Sequence, residues 1–317
     1  MAKINSENIN LNQTFNASKD LQAIIDSDYT IQQINLSYLG YLGITREQAI
    51  NSKCHEILAG KLCGTRQCPL KQVVDNNKIV EIEITKKGSN NVVTPFLMTA
   101  TPLYDNDSRV IGMITSFKNI VKIKKSEHRL NKVFQGVLYS MAKIVETRDP
   151  YTAGHQERVA KIAGKIAMEM NLSPKKIEAI KISAVLHDIG KIFVPPEFLT
   201  KPIVLSNIEF EIIKNHCQKG YDILKSIPFD YPIAKIVLQH HERIDGSGYP
   251  NGLKGDSILL EARIISVADV VEAISSNRPY RQSLGMETAF KEIEKYKNIK
   301  YDADVVEACL KIQKEIS

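Results

Sequence analysis

The residue pattern of this 317-residue chain changes character once, near Asn119. Before that point, short runs rich in β-branched and aromatic residues alternate with turn signals, as in residues 79–85, 92–104 and 110–117. Beyond it, apolar residues recur at spacings of three and four, which is the period of an amphipathic helix. We therefore predict an α+β domain, with an antiparallel sheet and helices, joined by a helix to an all-α helical bundle.

The first domain is predicted to begin with a hairpin. Residues 23–26 and 30–35 are typical of two strands on either side of a tight turn. Farther on, Thr45 is followed three residues later by Gln48, which predicts a helix N-terminus with a capping box. Turns rich in Asn, Asp and Gly separate the three later strands.

The connecting segment carries an apolar stripe at helical spacing. Its members are Leu130, Val133, Phe134, Val137, Leu138, Met141 and Val145. The stripe fits either a helix packed on the following domain or a signalling helix that also dimerises. We expect a homodimer formed through this linker helix.

Everything after Tyr151 is predicted to be helical. Ser173 followed by Pro174 indicates a cap with proline at the first helical position, and Ser206 with Glu209 forms another capping box. The predicted helices cover residues 155–170, 174–188, 206–225, 232–241, 259–275, 286–296 and 302–315.

Composition excludes several classes of protein. The balance of 42 Lys and Arg against 36 Asp and Glu gives a net charge of +6, which suits a phosphate-bearing substrate but not a duplex nucleic-acid partner. Because the N-terminal residues are polar and no apolar run is long enough to insert into a membrane, we expect neither a signal peptide nor a membrane span. The five cysteines do not resemble a disulfide scaffold. We expect a cytoplasmic protein.

Five of the seven histidines lie in the second domain beside other distinctive residues. His187 and Asp188 end an apolar helix, and His240 and His241 precede a glycine-rich loop that closes with Tyr249 and Pro250. His155 and His216 lie on other predicted helices, and Asp269 is flanked by aliphatic residues, where a carboxylate should not be buried unpaired.

Each of these residues alone has an ordinary structural interpretation, such as a capping aspartate or a packed histidine. Together they would require five independent coincidences, whereas a metal centre explains them at once. Imidazole and carboxylate ligands in this ratio favour iron or manganese over a tetrahedral structural zinc site. A water bound to a metal ion has a lowered pKa and can act as the nucleophile, so no nucleophilic side chain is needed.

The second half resembles the HD-GYP family of cyclic-di-GMP phosphodiesterases over about residues 130–317. The resemblance rests on His187-Asp188 and on the run from His240-His241 to Tyr249-Pro250. It extends to Lys191, Asp149-Pro150-Tyr151-Thr152 and Arg278-Pro279-Tyr280-Arg281.

The resemblance implies a role for each matching position. One metal would be held by His155, His187, Asp188 and Asp269, and the second by Asp188, as the bridge, with His216, His240 and His241. Lys191 would contact the scissile phosphate as a catalytic residue beside Asp188, and Tyr249, Arg278 and Arg281 would also contact the substrate. Some relatives hold a third metal through a Glu where this chain has Tyr151, so we expect two transition-metal ions. Glu272 stands where relatives usually have Asp.

The first half resembles a PAS sensor domain. The likeness rests on Ile34-Asn35, on the turn Tyr41-Leu42-Gly43-Ile44-Thr45 and on the order of the three closing strands. The predicted organisation is a polar tail at 1–13, a PAS-like sensor at 14–122, a linker helix at 123–148 and an HD-GYP domain at 149–317.

The leading functional prediction is hydrolysis of cyclic-di-GMP to linear pGpG, with GMP left open as a later product, under control of the sensor. Two alternatives remain: a non-catalytic cyclic-dinucleotide receptor, and another HD-domain di-iron enzyme such as a nucleotidase or an oxygenase.

The sensor also carries Cys54, Cys63 and Cys68 close together in sequence with His55. These could bind a metal or an iron–sulfur cluster or act as a redox switch, or they could be plain structural cysteines. The identity of any sensor cofactor stays unknown.

Overall fold

A computed structural model of the protein describes residues 11–58, 60, 62–148, 154–201, 206–276 and 283–316. The chain divides into two compact units, the first ending at Asn131 and the second beginning at Lys132. The domain limits that the sequence suggests, at 122 and 148, stay predictions.

The first unit is built on a five-stranded antiparallel sheet with the strand order β2-β1-β5-β4-β3. The predicted hairpin is confirmed, because β1 and β2 pair directly. The strands are β1 Leu21–Asp26, β2 Ile31–Ile34, β3 Val80–Lys87, β4 Val93–Tyr104 and β5 Val110–Asn119.

Short helices accompany this sheet, and their caps follow the sequence signals. Thr45 accepts a hydrogen bond from the backbone of Gln48, whose side chain bonds back to Thr45, so the predicted capping box is confirmed. Tyr38, Phe96 and Phe117 meet edge to face in the core, where such contacts add to the free energy of burial. The helices are α1 Leu11–Ala17, α2 Leu36–Leu42, α3 Arg46–Ala49, α4 Cys54–Ile57 and α5 Pro69–Asn76.

A long helix, α6, covers Val121–Glu146. Leu138, Ala142 and Val145 are buried on one of its faces, as expected for a helix that packs on its neighbours. The large apolar side chains of Leu130, Val133, Val137 and Ile144 are exposed. The helix therefore has an apolar surface that nothing in the described part of the chain covers.

The second unit contains helices and no strand among the residues described, so the predicted all-α bundle is confirmed. The prediction of a single helix over 206–225 is wrong, because two helices meet at Asn215. The N–H of Asn215 donates the last hydrogen bond of the first helix, and its carbonyl accepts the first hydrogen bond of the second. The helices are α7 His155–Glu169, α8 Pro174–Leu186, α9 Pro196–Leu199, α10 Asn207–Lys214, α11 His216–Leu224, α12 Ile233–Gln239, α13 Leu260–Ser275, α14 Gly285–Lys295, α15 Ala303–Lys311 and α16 Gln313–Ile316.

Helix α13 lies at the centre of this bundle and packs against α7, α8, α12, α14 and α15. It is apolar around most of its circumference, which is typical of a fully buried helix. Ile166 of α7, Ile180 of α8 and Ile264 of α13 are completely buried in the shared core. This arrangement brings polar residues of several helices to one interior point.

Among the helices described, none combines the length and the hydropathy that a bilayer-spanning segment requires. The cytoplasmic location stays a prediction.

Candidate metal centre

His187 and Asp188 lie where α8 ends in the bundle interior. His187 is the residue after the last helical turn, and Asp188 begins a 3-10 turn over Ile189–Phe193. Both side chains are almost completely buried. A buried carboxylate beside a buried imidazole requires compensating partners, because desolvation of a charge is costly.

Gly190 allows this turn to press against α11. A Cβ at Gly190 would lie 2.0 Å from the carbonyl oxygen of His216 and 2.6 Å from the nitrogen of Gly220. Only glycine permits that approach of two backbones. The contact brings His216, the first residue of α11, next to Asp188.

Helix α12 ends at Gln239, and His240 and His241 follow it into the glycine-rich loop. Glu242, which is buried, accepts hydrogen bonds from the backbone nitrogens of Asn251 at 2.7 Å and Leu253 at 3.0 Å. These bonds hold the far side of the loop against the end of the helix. Sequence reasoning missed Glu242, although a carboxylate between a His pair and a glycine-rich loop is a usable signal.

The fourth side of the site comes from α7 and α13. Nε2 of His155 lies 3.2 Å from Oδ1 of Asp269, and its Nδ1 donates to Oε2 of Glu272. The other oxygen of Glu272 accepts from Nε of Arg158 at 2.7 Å and from the hydroxyl of Ser276 at 2.6 Å. Glu272 therefore orients His155 and points no oxygen into the centre of the cluster.

The structure brings the seven predicted metal ligands into two adjoining groups, within each of which the ligand atoms lie no more than 4.8 Å apart. The first group is His155, His187 and Asp269, and the second is Asp188, His216, His240 and His241. Asp188 lies between them, with Oδ2 3.4 Å from Nε2 of His187 and Oδ1 3.4 Å from Nε2 of His216. One carboxylate thus faces both groups.

The histidines present lone pairs to the interior of this cluster. Nδ1 of His187, His216 and His240 donates to the backbone carbonyl three residues earlier, at 2.6, 2.7 and 2.5 Å. Because a carbonyl can only accept, each Nδ1 carries a proton, and in the neutral form of the ring Nε2 is then the atom with a free lone pair. Backbone contacts of this kind fix the tautomer that metal ligation requires.

Two further contacts are consistent with a cation in the cluster. Nε2 of His216 and Nε2 of His240 lie 3.3 Å apart, so two lone pairs face each other. Oδ1 of Asp188 is buried and receives no hydrogen bond from any residue described. Positive ions between these atoms would satisfy all three, and the residues present therefore fit a metal centre.

The electrostatics of the cluster suit metal binding. Burial opposes the charge on Asp188, but the adjacent ammonium of Lys191 prevails and holds the pKa of this carboxyl well below the usual range. Burial lowers the pKa of His216 to about 4, so this ring stays neutral and available as a ligand. Burial also opposes a charge on His155, yet its hydrogen bonds with Asp269 and Glu272 raise its pKa to about 9. A metal ion would replace that proton.

The predicted substrate residues are only partly described. Nζ of Lys191 lies 2.7 Å from Oδ2 of Asp188. The ring of Tyr249 lies 4.8 Å from that of His241, and Phe210, which sequence reasoning did not single out, lies 6.4 Å from Tyr249. Arg278, Arg281 and Tyr151 lie outside the residues described.

The three cysteines of the first unit are free thiols, of which Cys54 and Cys68 are buried and Cys63 is exposed. They form no preorganised metal-ligand group within the described residues. All three instead line one cavity of the first unit.

Comparison with known proteins identifies both units. A family model for the HD domain matches residues 139–305, which is more than half of the chain, and a model for the PAS fold matches residues 15–120. A cyclic di-GMP phosphodiesterase of Thermotoga maritima is 41% identical over 206 residues, which cover 63% of this chain and 56% of that protein.

Two further relatives each match about half of the chain. A cyclic di-GMP phosphodiesterase response regulator of Xanthomonas campestris is 40% identical, covering 55% of this chain and 47% of that protein. A 3'3'-cGAMP-specific phosphodiesterase of Vibrio cholerae is 37% identical, covering 50% of this chain and 34% of that protein. The matched regions therefore span about a third to just over half of the length of these relatives.

Proposed function

The chain belongs to the HD domain family, and we propose that its buried His/Asp cluster hydrolyses a phosphodiester bond of cyclic di-GMP to give linear pGpG. The observation that carries this proposal is Asp188, whose two oxygens face two separate groups of histidine ligands. A carboxylate in this position can bridge two ions, and paired metal ions are the arrangement that many phosphate-ester hydrolases use.

The seven ligands divide naturally between two ions. His155, His187 and Asp269 would hold one ion together with Asp188, and the second would be held by Asp188 with His216, His240 and His241. Such ions supply Lewis acidity, which lowers the pKa of water towards neutrality and offsets the charge that develops on a phosphate. With Asp188 shared, each ion would have four protein ligands before water or phosphate binds, so we propose iron or manganese, which accept more than four ligands, in preference to tetrahedral zinc.

The chain's own residues bind and orient the phosphate. Nζ of Lys191 lies beside Asp188 with part of its surface exposed, so it can donate to a phosphate oxygen that approaches the cluster. The ring of Tyr249, next to His241, provides an apolar face against which a base can stack. Arg278 and Arg281 are proposed as further contacts to the dinucleotide.

The choice of substrate rests on the similar proteins. Two of the three relatives described above are named for cyclic di-GMP and one for 3'3'-cGAMP. We propose cyclic di-GMP as the main substrate, and 3'3'-cGAMP is the competitor against which the preference must be measured.

The deciding experiment is hydrolysis by protein purified without oxygen and analysed for metal. The expected result is about two transition-metal ions per chain, with turnover of cyclic di-GMP that Asp188→Ala abolishes. Asp222→Ala, which removes a surface carboxylate paired with Lys225, is the matched control and should retain full activity.

Other outcomes would identify other functions. Binding of cyclic di-GMP without turnover, in protein loaded with iron(II) or manganese, would indicate a receptor. Oxygen consumption or a preference for mononucleotides would indicate a different HD-domain enzyme. Full activity in Asp188→Ala would contradict the proposal outright.

We also propose that the chain dimerises through α6. Ile123, Leu130, Val137 and Ile144 are exposed and spaced by seven residues, which is the repeat of a coiled-coil seam. Sedimentation analysis should show a dimer that Val137→Glu converts to a monomer. Tyr139→Glu changes an exposed position of the same helix outside this repeat, so it should leave the dimer intact. The same mass in solution for Val137→Glu and the unaltered chain, and therefore the same oligomeric state, would contradict the proposal.

A further inference from the structure

The first unit contains a cavity of about 580 Å³ bounded by its sheet and by the segment from α4 to α5. Pockets for small molecules commonly have volumes of about 300–1,000 Å³. Most of its walls are apolar, with Ile82, Ile84, Met98, Met113 and Phe117 among the side chains of β3, β4 and β5. This volume is large enough for a small organic molecule.

One lysine breaks the apolar pattern of these walls. Along β3, Val80, Ile82, Ile84 and Lys86 occupy alternate, partly buried positions, while the residues between them are exposed. Successive side chains of a strand point to opposite faces, so Lys86 shares the inward face with the two isoleucines. A charged residue at such a position needs a partner.

The surroundings of Lys86 supply little compensation for its charge. Nζ donates to the carbonyl oxygen of Leu58 at 2.9 Å and lies 4.9 Å from the centre of the Phe117 ring. No carboxylate of the described residues forms an ion pair with it. Glu83 also borders the cavity, but its carboxylate pairs with Lys124 at 2.8 Å.

The neighbouring thiol of Cys54 cannot act as the missing anion. Burial raises its pKa to about 11, so Cys54 is neutral at physiological pH. Burial lowers the pKa of Lys86 to about 8, which reflects the cost of an ammonium group without a counter-ion. An ammonium has three donors, and the contact with Leu58 uses only one of them.

We propose that this cavity binds a small apolar molecule that carries one carboxylate, which pairs with Lys86. A single anionic group matches the site, because Lys86 is the only Lys or Arg among the described residues that line the cavity. A phosphate or a dicarboxylate would need further cationic partners. The proposal is independent of the reaction at the metal centre.

The test is calorimetric titration of the full chain with two acids, octanoate and indole-3-acetate, each compared with its uncharged amide. We expect at least one acid to bind about tenfold or more tightly than its amide, which is the effect of one charged hydrogen bond. Lys86→Met should abolish this preference. Lys87→Met, which changes the adjacent exposed residue of the same strand, should preserve it.

The location of binding is read independently from methyl NMR of methionine-labelled protein. Met98 and Met113 line the cavity, so their signals should shift on addition of the acid, whereas Met168, exposed on α7, should not respond. Equal affinity for acid and amide, a preference that survives in Lys86→Met, or no binding of either acid at low millimolar concentration would each overturn the proposal. If Lys86→Met does not fold, the comparison of acid with amide on the unaltered chain decides alone.

Discussion

Nζ of Lys191 lies 2.7 Å from Oδ2 of Asp188, the carboxylate that faces both groups of histidines. The contact joins residues three apart, because Asp188 begins the 3-10 turn that carries Lys191. Lys191 thus holds a positive charge at the edge of the cluster without being one of the ligands.

Replacement of this ammonium should impair turnover more than metal binding. Lys191→Met removes a donor to the phosphate and leaves all seven ligands in place, so kcat should fall about 100- to 1,000-fold while the metal content stays near that of the unaltered chain. Steady-state hydrolysis and metal analysis of the same preparation measure both quantities.

The chain offers a matched control for this substitution. Lys225 also pairs at 2.7 Å with an aspartate three residues earlier, Asp222, but this pair lies on the surface. Lys225→Met should leave kcat unchanged. A loss of metal from Lys191→Met equal to its loss of activity would show that the lysine supports the ligands and not the phosphate.

Glu272 should control metal affinity through His155. Glu272→Gln keeps the size of the side chain but weakens the acceptor for Nδ1 of His155, so metal affinity should fall about 10- to 100-fold. Competition with a chelator measures this change. Ser276→Ala removes only a donor to the other oxygen of Glu272 and should have a much smaller effect. Equal metal affinities of Glu272→Gln and the unaltered chain would show that other contacts orient the ring of His155.

Gly190 should be intolerant of any side chain. The Cβ of Gly190→Ala would overlap the backbone of His216, so the turn and α11 must separate, at a cost of about 1–3 kcal/mol and with loss of metal. Gly136→Ala is the control, because a Cβ at this position of α6 meets no atom within 4 Å and alanine favours a helix by about 0.5–1 kcal/mol. Thermal unfolding with metal analysis compares the two variants. Retention of metal by Gly190→Ala would contradict this account of how His216 is positioned.

Much of the fold was predictable because local signals govern its elements. The strand alternation of β3 to β5, the capping box at Thr45 and the cap at Ser173 all appear in the structure where the sequence indicates them. The boundary at Asn215 was not predictable, since apolar spacing continues through it and only this one residue, which caps both helices, separates α10 from α11.

The site divides in the same way between local and tertiary information. Residue types and motifs were enough to nominate all seven clustered His and Asp residues. The roles of Glu242, which holds the loop, and of Glu272, which orients His155, depend on contacts between distant parts of the chain. Glu272 and His155 are 117 positions apart, and no local pattern could have paired them. The strand predicted at 79–85 stops before Lys86, so both the inward position of Lys86 and its lack of a carboxylate partner required the structure.

Lys86 should make the stability of the first unit dependent on pH. Its pKa of about 8 in the folded chain lies below the ordinary 10.5, so the unfolded state binds the proton more tightly and the folded state bears a penalty that is complete below pH 8. The penalty disappears as pH rises from about 8 towards 10.5. Lys86→Met should therefore raise the free energy of unfolding near pH 7 by up to about 3 kcal/mol, less the lost bond to Leu58, with a smaller gain at pH 9.5. Calorimetry at the two pH values, with Lys87→Met as the control, measures this difference. An equal gain in the free energy of unfolding at both pH values would mean that better apolar packing, and not the removed charge, is responsible.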